Sequence, residues 1–395
     1  MLTGASAREH GVWHNHASIP EGLETYASVL AGAGYRTGYF GKWHLERSSP
    51  TSHGFDETVK YLGQGDYFEA KLRNEEGKRI PLMENWLDDR VASLAVDFMR
   101  RNRDLPFLAV VGFKSTHGPR TPPDRARDMY EGAPFKPLAN EGAFPPFPMG
   151  NEFLPLAEAA GKDFEDFDPP SDWRDKWQAE RVTQLLFAGE KGEPEYLRDY
   201  YRVVRALDDT VGQILDAIDG LGIGDETLVV FISDNGFLNG EHGLLGKRVA
   251  YEESVRIPFV ARYPALIEPA ERSELVLNVD LAPTILDYCG VSVPQTMEGR
   301  SLRRVIEGKP AGWREEFLYE YRWTSDNQQK TWVPSHVAIR TEDAKLIVYD
   351  GHPAWSQLFD LQTDPYETTN RYDDPSFESV RQNLASRLDS LLSRR

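Results

Sequence analysis

Asp234 and Asn235 stand side by side in Ser233-Asp234-Asn235-Gly236, directly after the most apolar run of the chain. Adjacent carboxylate and amide oxygens at the end of a rigid element suit a hard cation such as Ca2+ or Mg2+ better than a soft metal. The same pair also reads as an Asx turn that closes a strand. Two more polar clusters follow apolar runs. In Gly41-Lys42-Trp43-His44 an extended backbone puts Lys42 and His44 on one side, because side chains alternate along a strand. The other cluster is Lys114-Ser115-Thr116-His117-Gly118-Pro119. Taken singly, Lys42 reads as a surface cation and His44 or His117 as a core histidine. A cation site, a lysine and two histidines at one sheet rim would together bind a tetrahedral oxyanion and pass a proton to a departing oxygen.

Strands must hold such a rim. Residues 227–232, 107–113 and 257–263 are apolar, β-branched runs, and 36–40 is a shorter candidate. The first shows no alternation, which predicts a strand covered on both faces. Helical patterns lie over 23–33, closed by Gly34, over 87–101, over 196–221, closed by Gly222, and over 281–288, closed by Gly290. Strand alternating with helix predicts an α/β fold, a largely parallel sheet with crossover helices, in which ligands bind beyond the carboxyl ends of the strands. Residues 118–194 break the rhythm with Pro, Gly, Asp and aromatic residues, and read as a functional wall or as a solvated excursion. Beyond about residue 310, runs at 317–321, 337–340 and 345–349 precede a helical stretch at 376–392. These predict a small antiparallel sheet with a closing helix, and so a division into residues 1–310 and 311–395.

At 395 residues and 40% apolar composition the chain is long enough for one large core and a smaller appended unit. A net charge of −18 argues against nucleic acid or an anionic membrane as partner. No apolar run approaches the roughly 20 residues that span a bilayer. Met1-Leu2-Thr3-Gly4 lacks the features of a signal peptide, so the chain reads as soluble and untargeted. The single Cys289 excludes an internal disulfide and a cysteine zinc cluster, and reads as a buried thiol near a helix end.

The motifs, in order, closely resemble those of the sulfatases. They are Thr3-Gly4 with Arg8-Glu9-His10-Gly11-Val12, Gly41-Lys42-Trp43-His44, His53-Gly54-Phe55-Asp56, His117-Gly118-Pro119 and Ser233-Asp234-Asn235-Gly236. Further along come Gly240-Glu241-His242-Gly243, Gly246-Lys247-Arg248, Tyr251-Glu252-Glu253-Ser254, Asp280-Leu281-Ala282-Pro283-Thr284 and Leu358-Phe359-Asp360-Leu361. Within the family the chain looks most like bacterial relatives of N-acetylglucosamine-6-sulfatase and other enzymes of sulfated glycans. The resemblance implies an alkaline-phosphatase-like fold: a mostly parallel sheet sandwiched by helices, with a small C-terminal antiparallel sheet and helix. It implies that Asp234 and Asn235 are two ligands of a single Ca2+, with Mg2+ as the alternative, and that Lys42 and Lys247 hold the sulfate oxygens. His117 would protonate the leaving alcohol. His44 would help to regenerate the nucleophile, a formylglycine made by a formylglycine-generating enzyme in a Cys-x-Pro-Ser-Arg motif. As its hydrate the aldehyde attacks sulfur, dividing one hard displacement into two easier steps.

The chain departs from that pattern at its start, where the place of the Cys-x-Pro-Ser-Arg motif falls upstream of Met1. The preceding strand, with two Asp that complete the calcium site, is missing as well. Neither Cys289 nor a later serine stands at the right point in the order. The expectation is a start assigned at an internal Met or a fragmentary gene, with a periplasmic or extracellular location left open. His10, His14 and His16 flank the missing motif, and His242 reads equally as a pocket lining or a structural turn. Two other functions stay in view: hydrolysis of a phosphate or phosphonate monoester on the same fold, and a noncatalytic remnant that binds glycan or a partner chain. Lys42, His44 and Lys247 favour sulfate, since a two-metal phosphatase should show extra His and Asp ligands. Purified protein starting at Met1 is expected to give no measurable turnover of an aryl sulfate. Turnover that disappears in Asp234→Ala would overturn this.

Overall fold

The computed structural model describes all residues except 15–16, 46–47, 62, 84, 137, 141–142, 144, 147–194, 323–332 and 394–395. The chain forms two units, one of Met1–Ala133, Leu197–Val230 and Val260–Ala311, the other of Pro134–Tyr196, Phe231–Phe259 and Gly312–Arg395.

The first unit is built on a mixed sheet. Its strands are β1 (Arg36–Lys42), β2 (Glu57–Tyr61), β3 (Leu72–Asn74), β4 (Arg79–Ile80) and β5 (Phe107–Gly112), in the order β4-β3-β2-β1-β5. Parallel pairing sets Gly38 of β1 opposite Glu57 on one side and Ala109 on the other. β2, β3 and β4 pair antiparallel. Successive side chains of β1 enter opposite layers, as a pleated strand requires. Phe40 packs with Leu87, Val91, Ala95 and Phe98 of the helix Leu87–Asn102, whereas Tyr39 packs with Tyr26, Leu30 and Leu286 of the helices Tyr26–Gly32 and Leu281–Tyr288. Helices thus cover both faces. The first of them starts three residues later than its apolar pattern, because Thr25 caps it: Thr25 Oγ1 accepts from Ser28 N at 3.0 Å and Ser28 Oγ from Thr25 N at 3.0 Å.

Gly41 explains why the first motif carries a glycine just before its lysine. Its φ is +116°, and a Cβ there would lie 2.0 Å from the carbonyl oxygen of Gly112 on β5. The helix Glu195–Gly220 buries Val203, Ala206, Thr210, Ile214 and Ile218, a stripe at three- and four-residue spacing. Of the irregular stretch expected over 118–194, residues 147–194 lie outside those described. In the part before it, Arg125 pairs with both carboxylate oxygens of Asp89, at 2.6 and 2.9 Å.

One expectation needs correction. The run at 227–232 becomes β6 (Val229–Ile232), which among the described residues pairs only with β9 (Phe259–Arg262) and is half-buried along its length rather than covered on both faces. β5 is the edge of the five-stranded sheet among the described residues and is likewise half-buried throughout.

In the second unit, β7 (Leu238–Asn239) and β8 (Leu245–Gly246) form a short antiparallel hairpin. Four strands, β10 (Glu316–Tyr321), β11 (His336–Thr341), β12 (Ala344–Tyr349) and β13 (Gln357–Asp360), make an antiparallel sheet in sequence order. Ile339, Leu346 and Leu358 meet Leu384 and Leu388 of the closing helix Glu378–Ser393. The opposite face places Ala338, Ile347 and Phe359 against Leu238, Val249 and Tyr251. Gly41→Ala should destabilise the protein by about 2 kcal/mol or more, since a clash with backbone adds to an unfavourable φ. Urea unfolding checks this, and an unchanged midpoint would contradict the close β1–β5 approach.

Candidate active site

In the first unit Lys42 ends β1, and its Nζ donates to Gln64 Oε1 at 2.8 Å. The Gln64 carbonyl in turn accepts from Lys114 Nζ at 3.0 Å, and the Gly118 carbonyl lies 3.4 Å from the same ammonium. Lys114 is buried, and burial lowers its pKa although Asp88 and Asp66 pull it back up. Its ammonium also lies 4.8 Å from the ring centre of Tyr67. Asp88, in the first turn of the helix Leu87–Asn102, accepts from the N–H groups of Lys114 and Ser115 at 2.8 and 3.0 Å, and from the Ser115 hydroxyl. Burial raises its pKa against these hydrogen bonds.

His117 sits on the loop that Asp88 anchors. Tyr67 donates its hydroxyl to the His117 carbonyl at 3.0 Å, and His117 Nδ1 lies 2.7 Å from the Gly118 carbonyl oxygen. A carbonyl oxygen only accepts, so Nδ1 carries a proton and Nε2 is the nitrogen left to exchange one. Trp43 turns inward, edge-on to Tyr39 at 5.1 Å and stacked with His53 at 5.8 Å. Lys42 and His44 on either side of it stay half-buried, as alternation requires.

The second unit brings Asp234, Asn235 and Lys247 together. Lys247 Nζ donates to Asn235 Oδ1 at 2.6 Å, and Asn235 Nδ2 donates to the Gly236 carbonyl at 2.7 Å. The amide oxygen of Asn235 therefore faces a lysine and not a backbone N–H two residues on, which removes the Asx-turn reading for this residue. Gly236 is required by close approach, since a Cβ would lie 2.1 Å from the Glu253 carbonyl oxygen. Burial lowers the Lys247 pKa, the charge of Asp234 raises it, and Arg248 lowers it further. Asp234 itself is exposed. These oxygen donors fit Ca2+ or Mg2+ in kind, and two residues supply only part of the six to eight oxygens that Ca2+ takes.

Cys289 does not suit formylglycine. It lies in Cys289-Gly290-Val291-Ser292 at the end of the helix Leu281–Tyr288, and burial raises its thiol pKa beside Tyr35. His242 is no pocket lining: it is 1% exposed and its ring stacks on Tyr251 at 3.9 Å. His10 accepts locally from Val12 N at 3.1 Å, while His16 lies outside the described residues. Gln64, Tyr67 and Asp88 were not legible as site residues. Only the apolar spacing of Leu87 with Val91 hints that the intervening Asp88 is held against a core.

Residues 1–291 match the family model described as Sulfatase, and residues 240–394 the one described as N-sulphoglucosamine sulphohydrolase, C-terminal. The N-acetylglucosamine-6-O-sulfatase of Bacteroides thetaiotaomicron is 31% identical over 440 residues, spanning 98% of this chain and 76% of that protein. The ulvan-active sulfatase of Formosa agariphila is 26% identical, over 100% of this chain and 70% of that protein. A solved structure of a protein in complex with its substrate, D-glucosamine-2-N,6-O-disulfate, superposes with a TM-score of 0.80 at 29% identity, over 98% of this chain and 85% of that one.

Removing the Asp234 charge takes away the influence that raises the Lys247 pKa, so burial should then lower it further. In metal-free protein, Asp234→Asn should move the alkaline midpoint of the Lys247 side-chain NMR signal to lower pH. An unmoved or raised midpoint would separate the two residues.

Proposed function

Because the chain belongs to the sulfatase family, we propose that it acts on a sulfate monoester of a sulfated amino sugar or glycan, with Lys42, His44, His117 and Lys247 as catalytic residues and Asp234 and Asn235 as metal ligands. The observation that carries this reading is the hydrogen bond from Lys247 to Asn235 beside Asp234, a lysine and a hard-cation oxygen pair at one strand end. The relative named for N-acetylglucosamine 6-O-sulfate and the superposed complex with a sulfated glucosamine support an amino sugar as the bearer of the ester.

In this reading Lys42 and Lys247 bind the sulfate oxygens by charge-assisted hydrogen bonds. Ca2+ held by Asp234 and Asn235 would supply further positive charge to those oxygens. His117, with Nδ1 fixed by the Gly118 carbonyl, moves a proton at Nε2 to the departing sugar oxygen. His44 takes a place beside Lys42 as a polar wall. Cys289, in Cys289-Gly290-Val291-Ser292, does not match the family's Cys-x-Pro-Ser-Arg form. Residues 1–310 would carry the catalytic α/β domain and 311–395 the C-terminal α+β subdomain.

Calorimetry with glucosamine 6-sulfate in the presence of Ca2+ tests the reading as binding, independently of turnover. The sulfated sugar should bind, glucosamine should not, and Lys42→Ala and Lys247→Ala should each weaken binding about tenfold or more, the worth of a charge-assisted hydrogen bond. A preference for glucosamine 6-phosphate would move the assignment to phosphate monoesters. Affinity unchanged in both lysine variants would leave only a noncatalytic glycan binder.

A further inference from the structure

We propose that His242, Glu253 and Glu367 form a binding site for a divalent transition-metal ion, with Zn2+ the cation that suits them. One ligand atom from each lies within 4.8 Å of the other two. His242 Nε2 and Glu253 Oε2 are buried without a hydrogen-bond partner, and Glu367 Oε1 beside them meets the Lys345 ammonium at 2.7 Å. His242 is 1% exposed and Glu367 2%. Buried polar atoms left unmatched are costly, and two that converge beside a third carboxylate oxygen ask for a common partner. Nε2 and Glu253 Oε2 stand 3.6 Å apart, longer than a hydrogen bond. Two ligands of a tetrahedral ion at about 2.0–2.2 Å would be roughly 3.3–3.6 Å apart.

The remaining polar atom of each side chain is fixed by a separate hydrogen bond. His242 Nδ1 lies 2.9 Å from the Ala143 carbonyl oxygen, Glu253 Oε1 accepts from Asn140 Nδ2 at 2.7 Å, and Glu367 Oε2 accepts from Glu252 N at 2.7 Å. Donation from Nδ1 to a carbonyl leaves the neutral imidazole with a bare lone pair at Nε2, aimed at the two carboxylates. This is the arrangement in which outer partners orient metal ligands. His242 and Glu367 both hold φ of 54°, a conformation that non-glycine residues adopt at a cost.

Lys345 Nζ lies 2.7 Å from Glu367 Oε1, and it has other acceptors in Glu252 Oε1 and the Ala250 carbonyl, each at 2.7 Å. Arg340 also faces Glu252, at 3.5 Å. Three carboxylates against two cations leave one negative charge in excess beside His242. An imidazole with two carboxylates favours Zn2+ over Ca2+, in contrast to the all-oxygen pair Asp234 and Asn235. The ion would staple the turns that carry residues 143, 242, 253 and 367 within the second unit, whatever ester the chain acts on.

Chelator-stripped protein titrated with Co2+ should show the visible absorption of a tetrahedral Co2+ site, saturating at one equivalent and displaced by Zn2+. Zn2+ should also raise the thermal midpoint. His242→Gln and Glu253→Gln should each weaken binding at least tenfold, and Asn140→Ala should weaken it about 10- to 100-fold, as lost outer partners do. Asp234→Ala should keep the site, which separates this outcome from the fate of the proposed sulfate site. Failure of wild-type protein to bind one equivalent would overturn the proposal even if a variant does not fold, and so would binding lost in Asp234→Ala yet kept in His242→Gln.

Discussion

A fully buried carboxylate holds the end of β5. Asp88 is 0% exposed, and removing a charged group from water is expensive unless hydrogen bonds replace the water. Here two backbone N–H groups and a hydroxyl, all from Lys114 and Ser115, replace it. Because the helix that carries Asp88 also packs Leu87, Val91 and Ala95 into the sheet, the loop bearing His117 is fixed to the core and not to solvent. Lys114, held on that loop, reaches the Gln64 carbonyl, and the Gln64 side chain receives Lys42. One helix position thus governs two groups that arrive from different strands.

The second unit uses a buried cation in the complementary way. Lys345 is 1% exposed between Glu252 and Glu367, while Glu252 also meets Arg340. An ion pair of this kind stabilises little by itself, but truncating one partner would strand a buried charge. Its effect is to fix the short helix Glu252–Val255, from which the Ser254 carbonyl accepts the N–H of Gly236. Asp234 and Asn235 therefore stand on backbone that charged groups hold in place.

Elements with a period were legible in the sequence. The helix at 87–101 and the three C-terminal strands appear within a residue or two of their expected bounds, since apolar periodicity alone specifies which face is buried. The state of β6 was not, because its composition suits burial on both faces while its surroundings are set by strands far away in sequence. At the site, Lys247 with Asp234 and Asn235 could be expected from motif order. Asp88, Gln64 and Glu367 could not, because each acts through partners tens or more than a hundred residues away, as in the contact of Glu367 with Glu252. No local pattern encodes such pairs.

Electrostatics gives the remaining constraint on any anionic ligand. A chain with a net charge of −18 repels a sulfated glycan at long range. At physiological ionic strength that repulsion is screened beyond roughly 8 Å, whereas contacts at hydrogen-bond distance are screened far less. Recognition must therefore come from a few cations placed at short range. Lys247 qualifies, since its burial, which lowers its pKa, also keeps screening water away. Asp234 has two opposed effects: its charge raises the Lys247 pKa against burial, yet without a bound cation it would itself repel the anion. A divalent ion held by that carboxylate would resolve the conflict, so under the proposed function anion binding at Lys247 should fall further on removal of the metal than in Lys247→Ala.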